Sequence, residues 1–354
     1  MDNPRSSFYR PELDTLRFSA FLLVFLHHAL PHASIDYFTS DYGIFKQAAP
    51  LLAGISRAGA VGVDLFFALS AYLITELLLR ERRSRGVIDI RAFYIRRILR
   101  IWPLYYFALL ILVPTMSMLP GEHMPRAYLL SFAMFGGNWA CAAWSYPPSS
   151  FALLWSVSIE EQFYLTWPWL IRRGELHLRT IAYGMLAVAT MTRLVLVIRG
   201  VHHPGIWCNT LARLDPIAGG ALLACFLNGS LPEHTRRSRG LWISLGAVLL
   251  IGAGAAGGNE GWPVLITYPL TAAASVAIIF GVLGARLSLP STTAYLGKIS
   301  YGLYVFHAAA IRIVPSPILA LPLTMAIAAL SYRYLESPFL RFKDRFAHVV
   351  TRFV

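Results

Sequence analysis

The chain has 354 residues, 56% of them hydrophobic and 14% charged, with a net charge of +13. Soluble domains carry about 25% charged residues, so a disordered chain, a disulfide-rich secreted module and a polar nucleic-acid-binding domain are excluded. The positive charge lies in short segments between long apolar runs, which is how inserted helices are oriented rather than how nucleic acid is bound.

Apolar runs near the 20 residues needed to cross a bilayer lie at about 16–33, 57–79, 99–118, 151–171, 178–198, 210–228, 241–257, 263–284, 295–314 and 316–335. They predict an all-α polytopic membrane protein of about ten transmembrane helices, with both termini cytoplasmic. The first run follows a polar N-terminus and ends without a small-residue cleavage site, so it reads as a retained span. Segment 127–137 is apolar but too short to cross, and reads as re-entrant or interfacial. In this topology 24 of the 31 Lys and Arg residues face the cytoplasm, in keeping with the positive-inside rule. The loops near 34–56, 80–98 and 119–150 are too short to hold a core, which predicts a single domain over 1–354. No internal repeat of the kind that builds many transporters is visible. The cysteines Cys141, Cys208 and Cys225 form neither a metal site nor a disulfide framework, and no metal is expected. Cys141 and Cys208 both fall on the oxidising side, which leaves a disulfide between them open.

Ionisable side chains inside spans are functional candidates by default. The first span carries Asp14-Thr-Leu-Arg17 at its cytoplasmic mouth and His27-His28 deeper. Arg17 and His28 are separated by 11 residues, three turns within about 20°, so they share a helix face about 16 Å apart. His28 could also be a packed polar residue bonding a neighbouring helix. In the second span, Asp64, Ser70 and Tyr72 lie among small residues that close helix packing explains equally well. Arg97 and Arg100 open the third span on one face, suited to phosphate or, equally, to topological charge and lipid headgroups. The fourth span holds Trp155-Ser-Val-Ser-Ile-Glu160-Glu161-Gln162-Phe-Tyr164. Its two carboxylates point about 100° apart, so only one can share a site with His28. The bland alternative is an ion pair of Glu160 with Arg193 or Arg213. Tyr304 and His307 lie one turn apart in the ninth span, and Glu336 closes the last span or begins an amphipathic tail. The outer-face aromatics Trp139, Trp144, Tyr146 and Trp207 fit either sugar stacking or interfacial anchoring.

Taken in order, these segments resemble the acyltransferase-3 family of integral membrane O-acyltransferases. The resemblance rests on Leu13-Asp14-x-Leu-Arg17 with His28, on Phe66-Phe67-x-Leu-Ser70-Ala71-Tyr72-Leu-Ile74, and on Phe93-x-x-Arg96-Arg97-x-x-Arg100-Ile-x-Pro103. It continues through Leu154-Trp155-Ser156-x-Ser158-x-Glu160-Glu161-Gln162-Phe163-Tyr164-Leu165, Arg213-x-Asp215, Ser300-Tyr301-x-x-Tyr304-x-x-His307 and Glu336-x-Pro338. Ala71 stands where the family usually has glycine. A fused SGNH hydrolase-like domain, which some members append, is not expected in this chain.

The resemblance implies transfer of an acyl group, most often acetyl, from cytoplasmic acyl-CoA to a hydroxyl of an extracytoplasmic or lipid-linked carbohydrate or glycolipid, in a bacterial cytoplasmic membrane. Some relatives modify small hydroxylated natural products instead. Acyl-CoA is then a co-substrate, no cofactor is permanently bound, membrane lipids are the surroundings, and a homo-oligomer is left open. Arg17, Arg97 and Arg100 would hold the CoA phosphates. His28, oriented by Glu160 or Asp14, would act as general base or be acylated itself. Ser70, Tyr72, Glu161, Tyr164, Tyr304, His307 and Glu336 would support them. The rival readings are a transporter of a lipid-linked or anionic substrate with a His/Glu proton relay, and a sensor that binds acyl-CoA without turnover.

Overall fold

The computed structural model describes residues 9–30, 59–172, 174–256, 258, 260–285 and 291–346, and no strand occurs among them. The expected loop at 34–56 lies outside the described residues. The helices in chain order are α1 (Pro11–Ala29), α2 (Val61–Arg85), α3 (Ile90–Met116), α4 (Arg126–Ala133), α5 (Gly137–Trp144), α6 (Trp155–Ile171) and α7 (Glu175–Ile198). They continue with α8 (Leu214–Leu227), α9 (Arg236–Ala256), α10 (Val264–Val282), α11 (Ser291–Lys298), α12 (Ser300–Ile313) and α13 (Pro317–Lys343).

Six of these, α2, α3, α7, α9, α10 and α13, are long and apolar enough to cross a membrane. The protein is an integral membrane protein, but four of the ten expected spans do not reach that standard. Helix α1 carries its own charges, and α6, α8 and α12 have 17, 14 and 14 residues. At 1.5 Å per residue a 14-residue helix rises only about 21 Å, against about 30 Å of hydrocarbon. Buried polar groups lie on both kinds of helix, Asp14, Ser156, Asp215 and His307 on the shorter ones and Asp64, Glu76, Arg193 and Glu336 on the longer ones. The long ones divide by burial. Helix α2 is 72% enclosed and is the central post, whereas α9 is 11% enclosed and turns almost all of its surface outward.

Around α2 pack α1, α6, α8 and α10. Close approach needs small residues: a Cβ at Gly220 of α8 would run into the Ala68 carbonyl of α2, and one at Gly297 of α11 into the Asp14 carbonyl of α1. Gly220→Ala is therefore expected to cost about 1–3 kcal/mol by forcing α8 away from α2. A lowered thermal midpoint of the purified protein in detergent is the check; an unchanged midpoint would mean that α8 can shift freely.

Many of the basic residues expected to set topology also close helix ends. Arg239 donates to the carbonyls of Gly281 at 2.7 Å and Val282 at 3.1 Å, where α10 stops. Arg80 donates to Gly229 O at 2.8 Å, and Arg83 reaches both the carbonyl and the side chain of Asn228, the left-handed residue that ends α8. The short segment 127–137 begins as α4, turns at Phe135 with φ of 53°, and continues into α5. Neither eight-residue helix is long enough to span. Two π turns interrupt the long helices, at Ala108–Leu112 in α3 and Tyr332–Glu336 in α13. In the second, Pro338 has no N–H to offer the Tyr334 carbonyl, and the widened turn rolls Glu336 inward.

Candidate active site

Two clefts meet inside the bundle. The inner one, about 100 Å³, is lined by Arg17 of α1, Ser70 of α2, Arg97 and Arg100 of α3, Glu160 and Tyr164 of α6, and Tyr304 of α12. The outer one, about 480 Å³, is lined among others by His27 and His28 of α1, Trp155, His203, Trp207 and again Tyr304. Val63 and Tyr304 face both, so they form the partition. Tyr304 is held there by hydrogen bonds between its hydroxyl and Ser156 Oγ at 2.6 Å and to the Leu153 carbonyl at 3.1 Å.

Helical periodicity explains who faces inward. Along α2, Val63, Phe66, Phe67 and Ser70 line the inner cleft at i, i+3, i+4, i+7 spacing. Tyr72, two residues past Ser70, turns away and packs with Leu13, Leu65 and Leu69 in a separate apolar cluster. The sequence-based assignment of Tyr72 to the site is therefore corrected. In α6 the two carboxylates separate as their 100° offset requires. Glu160 accepts hydrogen bonds from Ser70 Oγ at 2.9 Å and Tyr164 OH at 3.2 Å, while Glu161 accepts from Trp102 Nε1 at 3.1 Å. Glu336 accepts from Ser331 Oγ at 3.4 Å and lies within electrostatic reach of Arg100.

Among the described residues the inner cleft thus carries three guanidinium groups against one lining carboxylate. Arg97 lies with its Cζ 5.7 Å from the Tyr164 ring centre, and its Nε is buried without a hydrogen-bond partner. Arg96 points elsewhere, pairing with Glu81 at 3.1 Å and donating to Phe346 O at 2.6 Å. Arginines of one basic stretch therefore do two different kinds of work. The bonding of Arg96 fixes the end of α3, and Arg97 and Arg100 are left facing the cleft.

His28 is not oriented as the sequence suggests. Glu160 bonds Ser70 and Tyr164 instead, and Asp14 pairs with Arg17 at 2.9 Å. Asp14 is 14 residues from His28 on one straight helix, about 21 Å along the axis, so it cannot reach the imidazole. Among the described residues the side-chain neighbours of His28 include a second imidazole. His307 Nε2 lies 3.1 Å from His28 Nδ1, which is also 3.0 Å from the Val24 carbonyl. His307 Nδ1 in turn lies 2.6 Å from the Tyr304 carbonyl. His307 is fully buried, with the Phe21 ring edge-on at 6.0 Å.

The alternative that Glu160 pairs with Arg193 or Arg213 is also overturned. Arg193 binds Asp215 at 2.6 Å and the Ala212 carbonyl at 2.9 Å, and Arg213 binds Asp64 at 2.8 Å. Arg213 lies 3.9 Å under the centre of the Trp207 ring, whose neighbours include Trp155, Tyr268 and His203. Burial pushes the His203 imidazole below its ordinary pKa, so it enters the outer cleft wall as a neutral ring. Of the four outer aromatics, Tyr146 and Trp207 line that cleft, whereas Trp139 and Trp144 edge a separate surface hollow beside Leu130 and Met134.

Ser156, Tyr301 and Trp155 stand in the sequence motifs without a site role there, and the structure places all three in the cleft walls. The first could have been found by extending the face of Glu160 back one turn. Cys141, Cys208 and Cys225 are free thiols, all buried. The Cys208 thiol lies beside that of Cys141 and 3.5 Å from Tyr146 OH, so the pair expected from the sequence is adjacent but unlinked. Among the described residues no group of His, Cys, Asp and Glu could hold a metal ion.

A family profile described as an acyltransferase domain matches residues 10–334 of the chain. The chain is 28% identical to the peptidoglycan O-acetyltransferase OatA of Listeria monocytogenes, over 80% of this chain and 51% of that protein. It is 27% identical to the putative O-acetyltransferase SAS0844 of Staphylococcus aureus, over 94% of this chain and 57% of the relative. The putative peptidoglycan O-acetyltransferase YrhL of Bacillus subtilis is 27% identical over 80% of this chain and 51% of its own length. The chain thus spans about half the length of the curated relatives it matches. No solved structure matches.

Proposed function

The chain belongs to the acyltransferase-3 family, and on that footing we propose that it is an O-acyltransferase that carries an acetyl group from cytoplasmic acyl-CoA to a carbohydrate hydroxyl on the opposite side of a bacterial cytoplasmic membrane. The relatives named as peptidoglycan O-acetyltransferases favour a cell-wall glycan as acceptor. The observation that carries the reading is the pair of clefts sharing Val63 and Tyr304, one cationic and one aromatic.

Arg17, Arg97 and Arg100 suit the phosphates of CoA, because guanidinium forks bind phosphate oxygens in pairs of charge-assisted hydrogen bonds. Glu160, fixed by Ser70 and Tyr164, leaves the inner cleft net positive and aligns the donor rather than the base. Among the described residues the lining of the outer cleft has no carboxylate or guanidinium, and its rings suit the apolar face of a neutral sugar. Trp207, backed by Arg213, offers a rigid stacking surface there.

In the reaction, His28 Nε2 takes the proton of the acceptor hydroxyl as its oxygen attacks the thioester carbonyl carbon. The new C–O bond forms and the C–S bond breaks. The CoA thiolate leaves with the electron pair and recovers the proton from His28. The transporter reading needs a carboxylate beside the histidine as relay partner, and Glu160 is engaged elsewhere.

Membranes containing the protein, given radiolabelled acetyl-CoA and glycan acceptors, are expected to incorporate label into the glycan with release of free CoA. Arg97→Ala and Arg100→Ala should each raise KM for acetyl-CoA about tenfold or more, since a hydrogen bond to a charged group contributes about 1.5–3 kcal/mol. Label that stays on CoA would overturn the acyltransferase reading, and an unchanged KM would remove the phosphate assignment.

A further inference from the structure

The two imidazoles can be assigned atom by atom. A carbonyl oxygen only accepts, so the nitrogens facing the carbonyls of Tyr304 and Val24 both carry hydrogen: Nδ1 of His307 at 2.6 Å and Nδ1 of His28 at 3.0 Å. His28 Nδ1–H also faces His307 Nε2 at 3.1 Å, and two N–H groups cannot meet there. His307 Nε2 is therefore a lone pair and His307 is neutral, in keeping with its complete burial against Phe21.

From this geometry we infer that His307 is the positioning residue for His28: its Nε2 lone pair holds His28 as the Nδ1–H tautomer, and the basic lone pair falls on His28 Nε2. The inference rests on the acyltransferase reading for its chemistry, though not for the tautomer itself. A neutral imidazole here takes the place that a carboxylate holds beside many general bases. When His28 accepts a proton, its Nδ1–H still points at two acceptors, His307 Nε2 and the Val24 carbonyl. The resulting imidazolium is stabilised without a second full charge in the membrane interior. Among the described residues the other titratable groups facing the pair are His27, whose ring centre is 5.2 Å from that of His28, and Tyr304, 5.6 Å from that of His307.

The arrangement also links the base to the partition between the clefts. The backbone oxygen that fixes His307 belongs to Tyr304, whose own hydroxyl is held by Ser156 and Leu153. A movement of α12 would shift the wall between donor and acceptor and the register of His307 against His28 together.

Gln and Asn separate this role from mere packing. A glutamine at 307 can bring Oε1 to where Nε2 accepts the His28 N–H. An asparagine can reproduce the Nδ1–H bond to the Tyr304 carbonyl but is too short to reach His28. Under the proposal, His307→Gln keeps a substantial fraction of kcat, while His307→Asn and His307→Leu lose about 100-fold, the scale of a misplaced catalytic group. KM for acetyl-CoA stays near the wild-type value in all three, which also shows that they are folded. Activity in His307→Asn equal to or above that of His307→Gln would overturn the inference, as would full activity in His307→Leu. Nitrogen NMR of histidine-labelled protein, with His28 assigned by its loss in His28→Ala, reads the tautomer without any turnover. Both rings are expected neutral with hydrogen on Nδ1; hydrogen on His28 Nε2 would sink the proposal even in an active enzyme. If no acyl transfer occurs but the tautomers are as stated, the acyltransferase reading falls and the positioning of His28 stands.

Discussion

His28→Ala is expected to lower acyl transfer about 10³-fold while acetyl-CoA still binds. Removing a positioned general base commonly costs 10² to 10⁴ in rate, and a thousandfold loss corresponds to about 4 kcal/mol of lost transition-state stabilisation. The separation of the clefts is what makes the two effects independent. His28 lines the outer cleft, while the three arginines line the inner one, so deleting the imidazole leaves the donor site untouched. Glu160→Gln should do less, because its carboxylate touches Ser70 and Tyr164 rather than the base. Single-turnover transfer from labelled acetyl-CoA, with donor affinity measured in parallel, checks both. A His28→Ala enzyme that transfers at the wild-type rate would remove the histidine from the chemistry. A variant that no longer binds CoA would mean that the two clefts are coupled more tightly than their shared Val63–Tyr304 wall suggests.

Much of this site was legible along single helices. The three-turn spacing of Arg17 and His28 put them on one face of α1, and the 100° offset of Glu160 and Glu161 foretold that they would part. Composition and apolar run length gave the all-helical membrane class. What could not be read was adjacency between helices. Nothing in the sequence distances brings His307 of α12 to His28 of α1, or Asp64 of α2 to Arg213 before α8. Those pairings follow from how small residues such as Gly220 and Gly297 let helices close together. Helix length and composition alone do not confirm the ten expected spans, for a related reason. Apolar composition marks burial in protein as well as burial in lipid, and α6, α8 and α12 are short helices rich in buried side chains. Tyr72 was misplaced because a motif names neighbours in sequence, whereas a helix sends residues 70 and 72 in nearly opposite directions.

The second large effect is on stability. Asp64 and Arg213 form an ion pair in which both side chains are almost wholly enclosed, at 3% and 1% exposure. Arginine does not shed its charge, so Asp64→Leu leaves that cation against Trp207 and Tyr268 with Asp215 as its remaining, less direct carboxylate neighbour, and a loss of about 3 kcal/mol is expected. Arg213→Leu, which strands Asp64, should cost less, because a carboxyl can take up a proton. The double variant Asp64→Leu/Arg213→Leu should recover most of the stability of the wild type, since two apolar side chains can replace a buried pair with little net change. Thermal unfolding of the four proteins in one detergent tests this. A double variant as unstable as the two single losses added together would show that each charge is held by something other than its partner. Recovery of stability need not restore function, and here the two should diverge. Arg213 lies 3.9 Å beneath Trp207, and Trp207 forms a wall of the outer cleft. A double variant with a restored midpoint, a raised KM for the glycan and an unchanged KM for acetyl-CoA would assign this buried pair to the support of the acceptor site. Restored stability with both constants unchanged would confine it to folding.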